Sequence, residues 1–210
     1  MKQVIIFDFW GTLVENGVLT PLKQVKYALG LDDMPYAEFV VRLERAAMTS
    51  TASSIADMFE KIFREFGSKP LPNQMDYLVG LWNKNWLMAQ VYPEVIKVLE
   101  ELKNTSRLVL ISNTDSISVK SVMEKFKLEK YFDLILLSCE TGLLKNDAEL
   151  YQKIFDGLHV SPADCLAVGD SIETDMEAAR QANVDAVLID RRNKRQFNPR
   201  IKDLQELVWK

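Results

Sequence analysis

Histidine and cysteine are scarce in this chain, which has one histidine and two cysteines among 210 residues. A single histidine, His159, excludes a metal site built from several histidines and a mechanism that needs a histidine pair. It stands at an expected helix end, so we interpret it as a surface capping residue. Cys139 and Cys165 lie in or beside apolar runs, where buried thiols are expected rather than a disulfide. Free thiols are typical of a reducing cytoplasm, and we therefore expect a cytoplasmic protein.

Long apolar runs and an excess of positive charge are missing as well. No stretch approaches the ~18 apolar residues of a membrane-spanning helix. The first residues lead directly into a strand pattern, so we expect no secretory signal. Asp and Glu outnumber Lys and Arg by 30 to 26, which gives a net charge of −4 and argues against nucleic acid or a membrane as a partner. We interpret the basic cluster Arg191–Arg195 as a solvated loop.

What the chain does contain is an alternation of short apolar runs and helical patterns. The runs predict five strands: Val4–Asp8, Leu108–Ser112, Leu134–Ser138, Cys165–Val168 and Ala186–Ile189. Helical patterns follow the order Pro93–Lys103, Ser116–Phe126, Ala148–Leu158 and Ile172–Ala182. Strands that alternate with helices of about 10–15 residues indicate an α/β fold with a parallel sheet. Asn183 is expected to take the left-handed conformation that ends the last of these helices.

Residues 15–91 show helical periodicity without a clear strand. The helical patterns cover Leu22–Leu29, Pro35–Met48, Ser54–Phe66 and Asn73–Leu87, and glycines and prolines separate them. We therefore predict two structural units. A core domain is formed by residues 1–14 and 92–210, and an all-helical domain, residues 15–91, is inserted after the first strand.

Polar and charged side chains follow the predicted strands at four places. They are Asp8, Ser112 with Asn113, Lys145, and Asp170 with Asp175. Because ligands bind outside the carboxyl ends of parallel strands, these side chains can converge on one edge of the sheet. Asp8 and Asp170 come directly or almost directly after buried strands, where a carboxylate without a partner is costly. The sequence therefore predicts a functional site at this edge.

In chain order, the pattern Asp…Ser…Lys…Gly-Asp-Ser-x-x-x-Asp resembles the haloacid dehalogenase superfamily, in the branch with a helical cap after the first strand. The resemblance covers essentially the whole chain. It implies a Rossmann-like core with helices on both faces of a parallel sheet, a mobile cap and an aspartate nucleophile. For Asp8 it implies attack on a phosphoryl group and an aspartyl-phosphate intermediate.

A carboxylate and a phosphate repel each other, so a cation between them is expected. Mg²⁺ prefers oxygen ligands, among them one or two carboxylates, which makes it the expected cofactor. In this interpretation Asp8 and Asp170 supply carboxylates and the backbone carbonyl of Trp10 supplies a third oxygen. Asp175 is expected to hold a metal-bound water.

The remaining polar residues are assigned to the substrate. Lys145 is expected to place positive charge on the transferring group and on the nucleophile. Ser112 and Asn113 are expected to donate hydrogen bonds to phosphate oxygens. The expected partner is a small phosphorylated metabolite, and the expected assembly is a monomer or a homodimer.

Trp10 departs from the pattern of the family's phosphatases, which usually have Asp two residues after the nucleophile as general acid and base. An indole offers only a very weakly acidic N–H and cannot shuttle protons. The sequence therefore favours substrates whose leaving groups depart as anions, such as aryl or acyl phosphates. Substitute proton donors left open by the sequence are Glu15, Asp115 and Glu140.

The same position supports an alternative function, because the family's dehalogenases carry an aromatic residue there. Asp8 would then attack the carbon that bears a halogen, without a metal. Against this, Asp170 and Asp175 would repel an anionic haloacid unless a cation neutralised them. A third alternative is a catalytically weak member that binds a phosphorylated ligand or a partner protein.

Two features of the helical insertion bear on the choice of substrate. Arg42 and Arg45 lie three residues apart on a predicted helix, and we interpret them as an exposed face beside Glu38 and Glu44. Trp82 and Trp86 lie four residues apart on another predicted helix, and we interpret them as packing residues rather than a stacking platform.

Overall fold

A computed structural model describes residues 2–207 of the chain. Its strands are β1 Val4–Phe7, β2 Val14–Glu15, β3 Gln90–Val91, β4 Arg107–Ser112, β5 Leu134–Leu137, β6 Cys165–Gly169, β7 Asp185–Ile189 and β8 Arg200–Ile201. Its α-helices are α1 Pro21–Ala28, α2 Tyr36–Ala47, α3 Ile55–Glu65, α4 Gln74–Leu87, α5 Val95–Lys103, α6 Ser116–Phe126, α7 Ser138–Thr141, α8 Ala148–Leu158 and α9 Glu177–Gln181. A π-helical turn, Ile172–Met176, leads into α9.

The main sheet within residues 2–207 has six strands in the order β5-β4-β1-β6-β7-β8. Every neighbouring pair in it is parallel. β1 lies in the middle, with Phe7 opposite Leu110 of β4 and Val168 of β6. The predicted α/β fold with a parallel sheet is confirmed, and the carboxyl ends of β1, β4 and β6 therefore meet at one edge.

Both faces of this sheet are covered by helices. Side chains alternate between the faces of a strand, so Ile5 and Phe7 enter one apolar cluster and Val4 and Ile6 enter another. The helices α5 and α6 complete the first cluster, and α8 and α9 complete the second. A strand buried on both faces reads as a continuous apolar run, which is the pattern of Val4–Phe7.

The helices α1–α4 pack around an apolar cluster of their own. Phe39 and Phe59 are fully buried in it, and the ring of Phe59 meets that of Trp82 edge-on at 5.8 Å between centroids. The antiparallel pair β2 and β3 stands where the chain leaves and re-enters the main sheet. The domain limits at residues 15 and 91 stay a prediction, and Met1 and residues 208–210 of the predicted core domain lie outside the described residues.

Local predictions are met at three kinds of position. His159 and Asn183 have φ of 52° and 56°, and each follows the end of its helix in the left-handed region. His159 is exposed, as a surface cap requires. Cys139 and Cys165 are buried free thiols. Trp82 packs in the helical cluster and Trp86 against the main core, so both tryptophans are packing residues as predicted.

Candidate active site

Asp8 lies immediately after β1, and its side chain is buried. Its backbone N–H donates to Val168 of β6 at 3.0 Å, which fixes the residue between two strands. The hydroxyl of Thr12 donates to Oδ2 at 2.9 Å, and the ammonium of Lys145 donates to Oδ1. Burial raises the pKa of Asp8 to about 6, although the Lys145 charge acts in the opposite direction. The carboxylate is thus oriented on both oxygens.

Lys145 is the buried cation of the site. Its side chain is 4% exposed, and its ammonium donates to Asp8 and, at 2.7 Å, to Oδ1 of Asp175. Burial alone would lower its pKa, but the charges of Asp175 and Asp8 outweigh this and raise it. The ammonium is therefore charged at neutral pH and adjacent to Asp8, and its expected role towards a substrate stays a prediction.

Two more carboxylates come from the segment after β6. Asp175 is buried, and its Oδ2 accepts the backbone N–H of Ser171 at 2.9 Å. Asp170 is partly exposed, and its nearest cation is the guanidinium of Arg195 at 3.7 Å. Burial, together with the charges of Asp8 and Asp175, raises the pKa of Asp170 to about 7. Asp170 therefore lies in a region of excess negative charge.

Two glycines let these acids approach the strands closely. Gly11 has φ of 81°, and a Cβ built on it would lie 2.5 Å from Oδ2 of Asp170. A Cβ on Gly169 would lie 2.3 Å from the carboxylate of Asp175. Since real Cβ atoms essentially never come so close to another heavy atom, each position requires glycine for this arrangement of carboxylates.

Asp8, Asp170 and Asp175 each place a carboxylate oxygen within 4.8 Å of those of the other two. The three negative charges are met by one buried ammonium, that of Lys145, and by a more distant Arg195. Carboxylate oxygens are hard donors of the kind that Mg²⁺ prefers. The residues therefore fit a divalent cation in donor type and in uncompensated charge.

The residues after β4 divide into two roles. Ser112 is buried, and within the described part of the chain its Oγ has no hydrogen-bond partner. Such a hydroxyl is available to a ligand, and its expected contact with phosphate stays a prediction. Asn113 instead bridges protein groups, because its Nδ2 donates to Glu44 at 2.7 Å and its Oδ1 accepts the Lys145 backbone N–H at 2.9 Å. Its expected donation to phosphate stays a prediction.

The indole of Trp10 is engaged in contacts within the protein. The Nε1–H donates to the hydroxyl of Thr114 at 3.1 Å, and the ring meets Phe9 edge-on with 5.0 Å between centroids. The single polar hydrogen of the side chain is thus already engaged in the protein. The ligand role of the Trp10 carbonyl stays a prediction.

The substitute proton donors left open by the sequence are engaged elsewhere or exposed. Asp115 caps α6 by accepting from the backbone of Ile117 and Ser118, and it also accepts from Trp82 Nε1 at 2.9 Å. Glu140 forms an ion pair with Lys120 at 2.7 Å. Glu15 is exposed on β2.

Two neighbouring residues of α2, Glu44 and Arg45, contact the core domain. Arg45 makes a bidentate ion pair with Asp147, with both N–O distances 2.8 Å. Arg42 stays within the helical domain, where it pairs with Glu65 at 2.8 Å. The expectation that Glu44 belongs to an exposed face was wrong, since the residue is 8% exposed and accepts a hydrogen bond from Asn113.

Sequence reasoning missed Glu44 and Thr12 as members of the site. Glu44 follows Leu43 in the buried stripe Phe39, Leu43 and Ala47, so its position on the helix is compatible with burial. This apolar stripe predicts which face of α2 packs against the other helices of its own domain. No comparable sequence pattern predicts how α2 is oriented towards the core domain.

The chain belongs to the family of haloacid dehalogenase-like hydrolases, whose family model matches residues 2–183. Among curated relatives, the N-acylneuraminate-9-phosphatase of Mus musculus is 30% identical over 109 residues, which are 51% of this chain and 44% of that protein. The chain thus spans about half the length of the curated relatives it matches first.

Solved structures share the fold over almost the whole chain. The HAD-type hydrolase YfnB of Bacillus subtilis, in a crystal form bound to magnesium, has a TM-score of 0.68 at 17% identity and covers 99% of this chain and 97% of its own. The L-2-haloacid dehalogenase of Xanthobacter autotrophicus has a TM-score of 0.65 at 16% identity, covering 100% and 98%. At these identities the likeness establishes the fold alone.

Among the described helices, none combines the length and the apolar character that crossing a membrane requires.

Proposed function

We propose that this protein is a Mg²⁺-dependent phosphatase that uses Asp8 as nucleophile. The observation that carries the proposal is the cluster of Asp8, Asp170 and Asp175, whose oxygens lie within 4.8 Å of one another beside a single buried ammonium. A site with this excess of negative charge accepts an anion only when a cation offsets it. The phosphatase name of the mouse relative supports the same reaction class.

Asp8, Asp170 and the carbonyl of Trp10 would hold the metal in this proposal, and Asp175 would hold a water bound to it. A bound Mg²⁺ supplies charge neutralisation and orients the phosphoryl group for in-line attack. The magnesium in the crystals of YfnB, which has the same fold, is in keeping with this assignment.

The chain's own residues perform the bond changes. Thr12 and Lys145 hold the two oxygens of Asp8, one of which attacks phosphorus while the bond to the leaving oxygen breaks. Lys145 balances the charge that develops on the transferring group. The free hydroxyl of Ser112 donates to a phosphate oxygen. Water then attacks the phosphorus of the aspartyl-phosphate, which releases inorganic phosphate and restores Asp8.

The contacts between the two domains limit the size of the substrate. Arg45 with Asp147, and Glu44 with Asn113, hold α2 against the loops that carry the site. A cap held this closely excludes bulk water and large ligands. We therefore propose a small phosphorylated metabolite as substrate. From the sequence we also propose a cytoplasmic monomer or homodimer as the working form.

The test is hydrolysis of p-nitrophenyl phosphate by the wild type and by Asp8→Asn, each with Mg²⁺ and with excess chelator. We expect nitrophenol release only from the wild type, and only in the presence of Mg²⁺. Asp156→Asn, on the far exposed side of α8, is the matched control and should retain full rate. Equal rates with and without chelator, or an active Asp8→Asn protein, would contradict the proposal.

A second candidate function is 2-haloacid dehalogenation, which the aromatic residue Trp10 favours. Here Asp8 would attack the carbon that carries the halogen, and the halide would leave without a proton. Chloride release from 2-chloropropionate in excess chelator measures this directly. Release that depends on Asp8 and needs no metal would replace the phosphatase proposal, and no release is the result that we expect.

A further inference from the structure

Glu44 is a buried carboxyl that the proposed reaction leaves without a role. It is the only charged member of the buried residues of α2, which otherwise are Phe39, Leu43 and Ala47. Its Oε2 accepts the amide N–H of Asn113 at 2.7 Å. That bond fixes the carboxyl while Oε1 stays available for a proton. Burying an acid in this way is costly and calls for a functional reason.

The hydrogen-bond partner of Glu44 connects it to the residues around Asp8. Asn113 directly follows Ser112, whose hydroxyl is free, and its Oδ1 accepts the backbone N–H of Lys145 at 2.9 Å. One carboxamide therefore ties Glu44 to the residue that contacts Asp8. Glu44 comes from helix α2 of the inserted helical segment, whereas Asp8 directly follows a strand of the main sheet. A leaving group that faces α2 would lie opposite Asp8, as an in-line displacement requires.

A proton donor is needed there. The position two residues after the nucleophile holds Trp10, whose only polar hydrogen is bound to Thr114. Asp115 accepts three hydrogen bonds elsewhere and Glu140 pairs with Lys120. Expulsion of an alkoxide without a proton is slow, and general acid help is typically worth about 10²–10⁴-fold.

We propose that Glu44 donates the proton to the leaving oxygen of the substrate, a role that rests on the proposed phosphatase function. As Asp8 bonds to phosphorus and the bond to the leaving oxygen breaks, the proton on Oε1 of Glu44 moves to that oxygen and an alcohol departs. The Glu44 carboxylate then takes a proton from the water that attacks the aspartyl-phosphate. Phosphate leaves, Asp8 is restored and Glu44 is protonated again.

The surroundings of Glu44 support this assignment. Burial raises the pKa of Glu44 to about 7, and the hydrogen bond from Asn113 acts in the opposite direction. An acid of this strength can both give and take a proton near neutral pH. The charged and titratable groups that face Glu44 are Tyr36 and Arg45 on its own helix, and Asp8, Lys145 and Asp175 on the core.

The experiment compares two substrates that differ in their need for a proton. Values of kcat/KM are measured with Mg²⁺ for p-nitrophenyl phosphate and for ethyl phosphate, in the wild type, Glu44→Gln and Glu38→Gln. The glutamine oxygen can accept the same hydrogen bond from Asn113, so the cap contact is kept. Glu38 is an exposed residue of the same helix, and its variant is the matched control.

We expect Glu44→Gln to lower kcat/KM for ethyl phosphate by about 10²–10⁴-fold, with little change for p-nitrophenyl phosphate. Glu38→Gln should change neither. Equal losses on both substrates would show that Glu44 only positions the cap, and no loss on either would show another donor; both results overturn the inference and leave the phosphatase proposal standing. A wild type inactive on both substrates would remove both proposals.

Discussion

At the scale of single residues, the site depends on where carboxylates can approach the backbone. Asp170 approaches the turn after β1 closely only because Gly11 has no side chain, and Asp175 packs in the same way against Gly169. The carboxylates can lie close together because Gly11 and Gly169 have no Cβ atom. The excess negative charge that suits a cation follows from this packing.

The first prediction is that Gly11→Ala lowers Mg²⁺ affinity by at least about tenfold, since the new Cβ displaces Asp170. Gly30 is the matched control, because its φ of 67° imposes the same backbone strain while a Cβ there meets no atom within 4 Å. Isothermal titration calorimetry with Mg²⁺ measures both. Similar affinity in Gly11→Ala and the wild type would show that Asp170 does not hold the metal.

A second prediction concerns Ser112. Ser112→Ala should lower kcat/KM for an aryl phosphate by about tenfold, the usual loss for one hydrogen bond to a charged group. Its free energy of unfolding should be unchanged or raised, because the buried hydroxyl has no partner to lose. Ser118 also has a buried, unpartnered Oγ, so Ser118→Ala should leave both rate and stability unchanged. A fall in stability without a fall in rate would assign Ser112 to the fold alone.

The sequence predicts which residues at the ends of strands belong to the site. It does not predict which residues of the cap do. Asp8 and Asp170 follow apolar runs directly, and the topology of a parallel sheet then brings them to one edge. Thr12 needed the geometry of the turn after β1. Glu44 needed the orientation of an inserted helix against the core, which depends on contacts between distant segments.

At the scale of elements, α2 connects the helical segment to the loops that carry the candidate site. Asp147, which pairs with Arg45, also accepts the backbone N–H of Leu144 at 2.7 Å. Leu144 precedes Lys145 in the chain. One carboxylate, that of Asp147, therefore links α2 to the loop that carries Lys145.

The third prediction is that Arg45→Ala lowers kcat/KM for p-nitrophenyl phosphate several-fold, mainly through KM, because the cap closes less often. Exposed ion pairs contribute little to stability, so the melting temperature should hardly change. Arg42→Ala is the matched control, since it removes an ion pair within the cap. Equal effects of the two variants on KM would show that the Arg45 contact has no part in closure.

The elements themselves were predictable in proportion to their length. Runs of four or more apolar residues gave every strand of the main sheet except β8, which has two residues. The strands β2 and β3 are equally short, and two residues carry no periodicity. The last predicted helix is present but begins as a π-helical turn, where Asp175 is placed against Gly169.

At the scale of the whole molecule, the buried acids link folding to pH and to metal. Their pKa values of about 6 for Asp8 and about 7 for Asp170 lie above the ordinary value of 3.8. Between about pH 4 and pH 7 the folded state therefore binds more protons than the unfolded state, and stability falls as the pH rises. A cation that binds the ionised carboxylates offsets this loss.

The fourth prediction is that Mg²⁺ raises the melting temperature more at pH 8 than at pH 5. In chelator, the contribution of Asp8 and Asp170 should make the protein less stable at pH 8 than at pH 5. At pH 8 both carboxylates are ionised and repel each other. Thermal unfolding followed by circular dichroism measures both effects. Asp170→Asn should reduce the pH dependence and the effect of Mg²⁺. An equal effect of Mg²⁺ at both pH values would argue against binding at these acids.

The proposed bond between Asp8 and phosphorus can be detected directly by trapping it. Excess protein is mixed with p-nitrophenyl phosphate, quenched in acid within milliseconds and mapped by mass spectrometry. We predict a phosphoryl adduct on the peptide that contains Asp8, present with Mg²⁺ and absent with chelator. An adduct on any other residue, or full nitrophenol release with Asp8 unmodified at every quench time, would contradict the account.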